Sequence, residues 1–222
     1  MVTGTVSQVA QPVFARIVDD NERQRRVFGK ILRFTAFMSL PTMFGLSLVA
    51  PQVILLTIGS QWEHSIPLLQ ILCLSGAFLP FYTVYQHMVL SLGKSNIYMW
   101  LNVIQLLLVL IAVLACHSLG ITAMVIAFVC INILWLLAWQ WFAKRLIGYS
   151  YVNLLRDLLP FVLITVAILA VTYFVTLPLT NLVALLVARV VIAGLLYALA
   201  MRTLHVKIFD ECVDFIRSRM KK

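Results

Sequence analysis

Long apolar runs separated by short polar turns make up most of the chain. Six of them reach the roughly 20 mostly apolar residues that a helix needs to cross a bilayer, at about 34–58, 66–92, 96–116, 120–143, 158–178 and 181–201. Three of the turns are Gly59 to Trp62, Gly93 to Asn96 and His117 to Gly120, and Pro178 to Thr180 makes a fourth. In hydrocarbon every backbone N–H and C=O has to be paired inside the segment, so runs of this length predict helices rather than strands. The expected fold is an all-α integral membrane domain over 34–203. After it, Val206, Phe209, Val213, Ile216 and Met220 recur every three to four residues among charged positions. That pattern predicts an amphipathic tail at 204–222 lying along the interface.

Charge placement tests this segmentation. Lys and Arg are retained on the cytoplasmic side of a membrane, and here they occur before the first run, after the second, after the fourth and after the sixth. The three remaining turns carry none, so 16 of the 17 basic residues fall on one side. A wrong helix count would scramble that alternation. Both ends of the six-helix domain are therefore expected in the cytoplasm. The segment 19–33 reads as a basic cytoplasmic stretch whose Asp19, Asp20 and Glu22 suit the start of a helix. Residues 1–18 hold too few uncharged positions to span and read as the tail of a truncated transmembrane helix.

Composition agrees. Hydrophobic residues make up 63% of the 222 and charged residues 11%, with a mean hydropathy of +1.01. The net charge of +9 sits in short segments beside apolar runs, which points to lipid headgroups as counter-charge and away from nucleic acid. Cys73, Cys116, Cys130 and Cys212 are scattered with no CxxC pair, and Cys116 beside His117 is too small a set for a metal, so neither metal nor cofactor is expected.

Chemistry within the runs is sparse. No Asp or Glu lies inside any of the six, which argues against a proton relay or carboxylate catalysis there. Gly93-Lys94-Ser95 ends like a phosphate-binding loop, but Met88 stands where that motif needs glycine. His64, His87, His117 and His205 are isolated, so no catalytic constellation is expected. The exception to the charge pattern is Arg189, inside the sixth run about 8 residues from its start and 12 from its end, near the bilayer centre. It suits an anionic headgroup in a cavity, and it equally suits an interhelical tie to backbone carbonyls. Asn102 and Gln105 in the third run and Asn132 and Gln140 in the fourth should turn away from lipid, either as ties between helices or as the lining of a polar cavity. Tyr85, Gln86 and His87 form a further polar group. Pro41, Gly45 and Pro51 in the first run and Pro67, Gly76 and Pro80 in the second predict weak points in both helices. The substrate-cavity candidates are thus Arg189, Asn102, Gln105 and Asn132.

The order of features from Gln11 to Asn102 carries a resemblance. Pro12 to Arg16, the acidic-then-basic stretch Asp19 to Arg26, Leu40-Pro41, Gly45-Leu46, Ala50-Pro51, Ile58 to Trp62, Leu68 to Leu72 and Leu92-Gly93-Lys94 resemble the Wzx-type polysaccharide and O-antigen flippases of the multidrug/oligosaccharidyl-lipid/polysaccharide exporter superfamily. The resemblance implies a two-lobe transporter of 12 to 14 spans, of which this chain supplies the last six as the C-terminal lobe, with an N-terminal lobe elsewhere in the protein. It implies alternating access that moves an undecaprenyl-pyrophosphate-linked sugar repeat across the bacterial inner membrane in lipopolysaccharide or capsule synthesis. The lipid-linked oligosaccharide and membrane lipids would be the partners, and the protein would not be an enzyme. Drug export within the same superfamily, a membrane enzyme and a non-transporting scaffold of polysaccharide assembly are the alternatives.

Overall fold

A computed structural model of the chain describes residues 20–179 and 181–203. The two terminal expectations, the truncated helix at 1–18 and the amphipathic tail at 204–222, lie outside the described residues. Among the described residues seven α-helices make six crossings: α1 (Asn21–Thr57), α2 (Ile66–Gly76), α3 (Leu79–Ser91), α4 (Ser95–Cys116), α5 (Ile121–Ile147), α6 (Tyr151–Val175) and α7 (Leu182–Thr203). No strand occurs among the described residues. All six crossings are long and apolar enough to span a membrane, with α2 and α3 sharing one crossing behind a 3-10 turn at Ser60–Ser65.

Helix α1 starts ahead of its apolar stretch. Asp20 caps it, its carboxylate accepting from the Arg23 backbone N–H at 2.9 Å, which satisfies one of the donors a helix start leaves unpaired. The basic residues from Arg23 to Arg33 are therefore the first turns of the long helix, and α1 runs 37 residues without a break. Helix α6 also begins early, at Tyr151 rather than near 158, which places Arg156 and Asp157 on its opening turns. The second crossing breaks at Ala77 and Phe78, between Gly76 and Pro80. The Ser39 hydroxyl of α1 donates to the Ala77 carbonyl at 2.6 Å and pairs a buried backbone acceptor at the break.

Helix α1 is the hub. It packs on α2, α3, α5, α6 and α7, whereas α4 rests mainly on α5 and α3. Phe28, Leu32, Ala36 and Leu40 recur at intervals of four on α1 and are buried completely or nearly so, one face of a 3.6-residue helix turned inward. They meet Phe81, Val84, Tyr85 and Met88 of α3 and Trp139, Ala143 and Ile147 of α5 in a single core. That core lies toward the end of the bundle carrying Arg25, Arg33 and Arg145, called here the basic end. Outward, Leu106, Ile111, Leu114, Leu134, Phe174 and Leu195 are each more than 60% exposed. A water-soluble monomer does not expose apolar side chains on this scale; hydrocarbon accommodates them.

At the basic end α1 and α6 approach closely. A Cβ added to Gly29 would sit 2.8 Å from Asp157 Oδ2 and 3.4 Å from the Tyr149 ring. Gly29→Ala should therefore lower the thermal midpoint of the purified protein in detergent, by a net loss of about 1–3 kcal/mol from overpacking. The helix propensity gained, roughly 1 kcal/mol, does not offset that loss.

Candidate functional site

Away from the basic end the packing loosens into a cavity of about 420 Å³ between α1, α6 and α7. Its walls are largely apolar, with Pro41, Gly45 and Val49 from α1, Ile168 and Leu169 from α6, and Ala193 and Gly194 from α7. Four polar side chains line it, those of Thr42, Thr165, Arg189 and Tyr197. A second, more open hollow of about 530 Å³ adjoins it between α1, α2 and α6 and shares Leu48 and Leu169.

Arg189 is buried, with 7% of its surface exposed, and is held by groups on two other helices. Its Nη1 donates to the Leu48 carbonyl at 2.9 Å and to Gln52 Oε1 at 3.1 Å. Its Nε donates to Thr176 Oγ1 at 3.3 Å, at the end of α6. The guanidinium also lies over the Tyr173 ring, 5.5 Å from its centroid, a cation–π contact strengthened by desolvation. Arg189 is the eighth residue of α7, so it sits about 10 Å along the helix from its start. Because α7 continues to Thr203, Arg189 lies about 5 Å off the middle of the helix, on the side opposite the basic end.

The other three cavity candidates lie elsewhere. Asn102, Gln105 and Asn132 are absent from the walls of both hollows and form ties among α3, α4 and α5. Gln105 donates to Asn132 Oδ1 at 2.9 Å and Asn132 Nδ2 donates back to the Phe128 carbonyl at 2.8 Å. The Tyr82 hydroxyl donates to the Asn132 carbonyl. Asn102 Oδ1 accepts from Gln86 Nε2 at 3.2 Å, and Asn102 Nδ2 donates to the Tyr98 carbonyl at 2.7 Å. Both ends of the Asn102 and Asn132 amides are thereby occupied by protein.

At the basic end a further network crosses the bundle. Arg33 Nη1 pairs with Asp157 Oδ1 at 3.3 Å, and the Tyr149 hydroxyl donates to Asp157 Oδ2 at 2.6 Å. Gln140 Nε2 donates to the Tyr149 carbonyl at 2.8 Å while its Oε1 accepts from the Tyr85 hydroxyl at 2.7 Å. Phe28 packs edge-on against both Tyr85 and Tyr149. Burial, then the hydrogen bond and negative charge of Asp157, push the Tyr149 phenol well above the ordinary tyrosine range, so it remains a donor. Gly148, in the left-handed conformation at φ 69°, closes α5 where Arg25 Nε donates to the Ile147 carbonyl at 3.3 Å.

The fold and these sites have known counterparts. A family model described as polysaccharide biosynthesis protein matches residues 1–67. Over its whole length the chain is 24% identical to an uncharacterized membrane protein in the cps region of Klebsiella pneumoniae, covering 46% of that protein. It is 28% identical to the lipopolysaccharide biosynthesis protein WzxC of Escherichia coli K12 over 71% of this chain and 33% of that one. It is also 27% identical to the succinoglycan biosynthesis transport protein ExoT of Rhizobium meliloti, over 72% and 31% respectively. The chain is thus similar in sequence to membrane proteins of bacterial polysaccharide biosynthesis. It spans 31% to 46% of the length of these relatives. Among solved structures, the lipid II flippase MurJ in an inward closed conformation superimposes with a TM-score of 0.73 over 91% of this chain and 45% of that one, at 18% identity, and so shares its fold. With its six apolar crossings and these similarities, the chain is a multi-pass membrane protein.

Several residues that build the sites were not singled out from the sequence. Gln52, Gln70, Thr165, Thr176 and Tyr197 are ordinary residues for a membrane helix, and only the pairing geometry marks them. Gln140 is the residue on which the basic-end network turns, since it serves two buried groups at once. Gln140→Leu should leave both without a partner, at a cost of about 2 kcal/mol. A thermal unfolding scan should show a midpoint lower by roughly 4–8 °C.

Proposed function

We propose that this chain forms a six-helix lobe of a flippase that carries lipid-linked polysaccharide repeat units across the bacterial inner membrane by alternating access, for lipopolysaccharide or capsule assembly. The observation that carries the reading is that one chain has both the fold of half a lipid II flippase and sequence similarity to proteins of lipopolysaccharide and succinoglycan biosynthesis. A second lobe would face this one across a central path, in keeping with the share of each relative that the chain spans. The partner substrate is an undecaprenyl-pyrophosphate-linked oligosaccharide. The protein acts as a transporter rather than an enzyme and uses no cofactor of its own.

Orientation follows from charge. The basic end, with Arg25, Arg33 and Arg145, faces the cytoplasm, since the sequence keeps 16 of the 17 Lys and Arg on one side of the six apolar runs and translocating such residues is unfavourable. The cavity holding Arg189 then opens in the half of the bundle toward the periplasm. Asn102, Gln105 and Asn132 serve this reading as ties that keep α3, α4 and α5 together, supported by their occupied hydrogen bonds.

Two measurements test the reading. In a strain lacking its own polysaccharide flippase, with a matching sugar repeat, the natural gene encoding this chain should restore polymer at the cell surface. Failure despite normal membrane levels would remove the flippase assignment in favour of a scaffold or another export substrate. A single cysteine placed at Ser118 should react with a membrane-impermeant thiol reagent added from outside, and one at Lys94 should react only after the membrane is opened. The reverse pattern would invert the orientation.

A further inference from the structure

Proline at a helix interior removes the N–H that would pair the carbonyl four residues earlier, and in hydrocarbon that carbonyl has no water to turn to. Helix α1 contains two such positions, Pro41 and Pro51, which release the carbonyls of Phe37 and Ser47. Both are paired from other helices. The Tyr197 hydroxyl of α7 donates to the Phe37 carbonyl at 2.9 Å, and Gln70 Nε2 of α2 donates to the Ser47 carbonyl at 3.2 Å. Ser47 returns a bond from its own hydroxyl to the Gln70 carbonyl at 3.4 Å. The next carbonyl along, that of Leu48, takes Arg189 Nη1, and Gln52, directly after Pro51, takes the same nitrogen.

These donors all act across the loosely packed side of α1. Arg189 and Tyr197 line the cavity beside Pro41 and Gly45, and Gln70 lines the adjoining hollow. Gly45, between the two prolines, has no atom within 4 Å of where a Cβ would stand. The stretch from Pro41 to Gln52 is therefore weakened in its own hydrogen bonding and has free space beside it. Three side chains from α2 and α7 fix its shape.

We propose that Tyr197, Gln70 and Arg189 are latches on the two proline joints of α1, and that Arg189 is a positioning residue tying the second joint to the end of α6. Helix α1 is then the hinge element of this lobe, held in one shape by three directional bonds that local opening must break. Arg189 acts on backbone and on Gln52 and Thr176, and its charge is committed to the protein. The role of these latches in the transport cycle rests on the flippase reading, but the latches themselves do not.

Hydrogen exchange of the natural full-length protein in detergent, followed by mass spectrometry, tests this without any substrate. Tyr197→Phe keeps the ring packed against Phe37, 5.7 Å between centroids, and removes only the donor; Gln70→Leu does the same for Ser47. Each should raise exchange in α1 peptides spanning 41–54 several-fold, by up to about tenfold for a lost hydrogen bond. Restoring the missing N–H should cancel the effect pairwise: Pro41→Ala should suppress Tyr197→Phe, and Pro51→Ala should suppress Gln70→Leu, but not the other way round. Arg189→Ala should raise exchange in both α1 and the end of α6. Arg189→Lys, with a donor for Leu48 but no fork, should protect α1 and leave the α6 end exposed to exchange. Simple additivity of the proline and donor variants would overturn the proposal. So would Arg189→Ala with unchanged α1 exchange but lost binding of a polyprenyl pyrophosphate, which would make Arg189 a headgroup ligand. Export assays on the same variants separate the two readings, since failed export in all of them, wild type included, leaves the exchange result standing.

Discussion

Every carbonyl of a membrane helix needs a donor, and in this lobe α1 cannot supply its own. Its two prolines leave acceptors at Phe37 and Ser47, and the partners that satisfy them lie on α7 and α2. The same helix contributes the core face of Phe28, Leu32, Ala36 and Leu40 and touches five of the other six helices. Displacing α1 would therefore disturb the apolar core and expose unpaired backbone in hydrocarbon, each orphaned group costing several kcal/mol there. The second crossing shows the same constraint in a milder form, its break at Ala77 being paired by Ser39 of α1.

How far the sequence reveals this depends on the range of each interaction. The six crossings are legible because span length and the sidedness of Lys and Arg are properties of single segments. Arg189 is legible as a lone charge, although the sequence leaves its role open and the apolar run places it nearer the membrane centre than α7 does. Its partners are not legible: Leu48 and Gln52 lie 141 and 137 residues away, and a backbone carbonyl leaves no mark in a sequence. The amides Asn102, Gln105 and Asn132 show the opposite limit. Their need to turn inward is plain, but whether they face a cavity or one another depends on the rotation of α4 and α5, which apolar periodicity fixes poorly when most of the surface is apolar anyway.

A better signal was present in the prolines. Each interior proline predicts one hungry acceptor at a known position, four residues earlier, and therefore a donor on a neighbouring helix. Pro41 and Pro51 are thus more than weak points in α1. The donors they call for are polar side chains that hydrocarbon alone disfavours, and Gln70, Tyr197 and Arg189 fill that role. Asp157 escapes for a different reason. The sequence places it in the loop, but α6 starts at Tyr151, so its carboxylate stands on the helix beside Gly29 and Arg33 and organises the basic end.

The two ends of the bundle are consequently held by different physics. At the basic end, aromatic and aliphatic side chains close around a hydrogen-bonded chain from Arg33 through Asp157, Tyr149 and Gln140 to Tyr85. Apolar burial is non-directional and degrades gradually with displacement, so that end resists opening over a range of small motions. Toward the other end α1 faces hollows of about 420 and 530 Å³, and a few directional bonds do what packing does elsewhere. Such bonds lose their strength steeply with distance and angle. Local opening free energies in a protein follow the density of buried contacts, so the half of α1 from Pro41 to Gln52 is where this lobe can change shape at least cost, with the packed basic end as its fixed base.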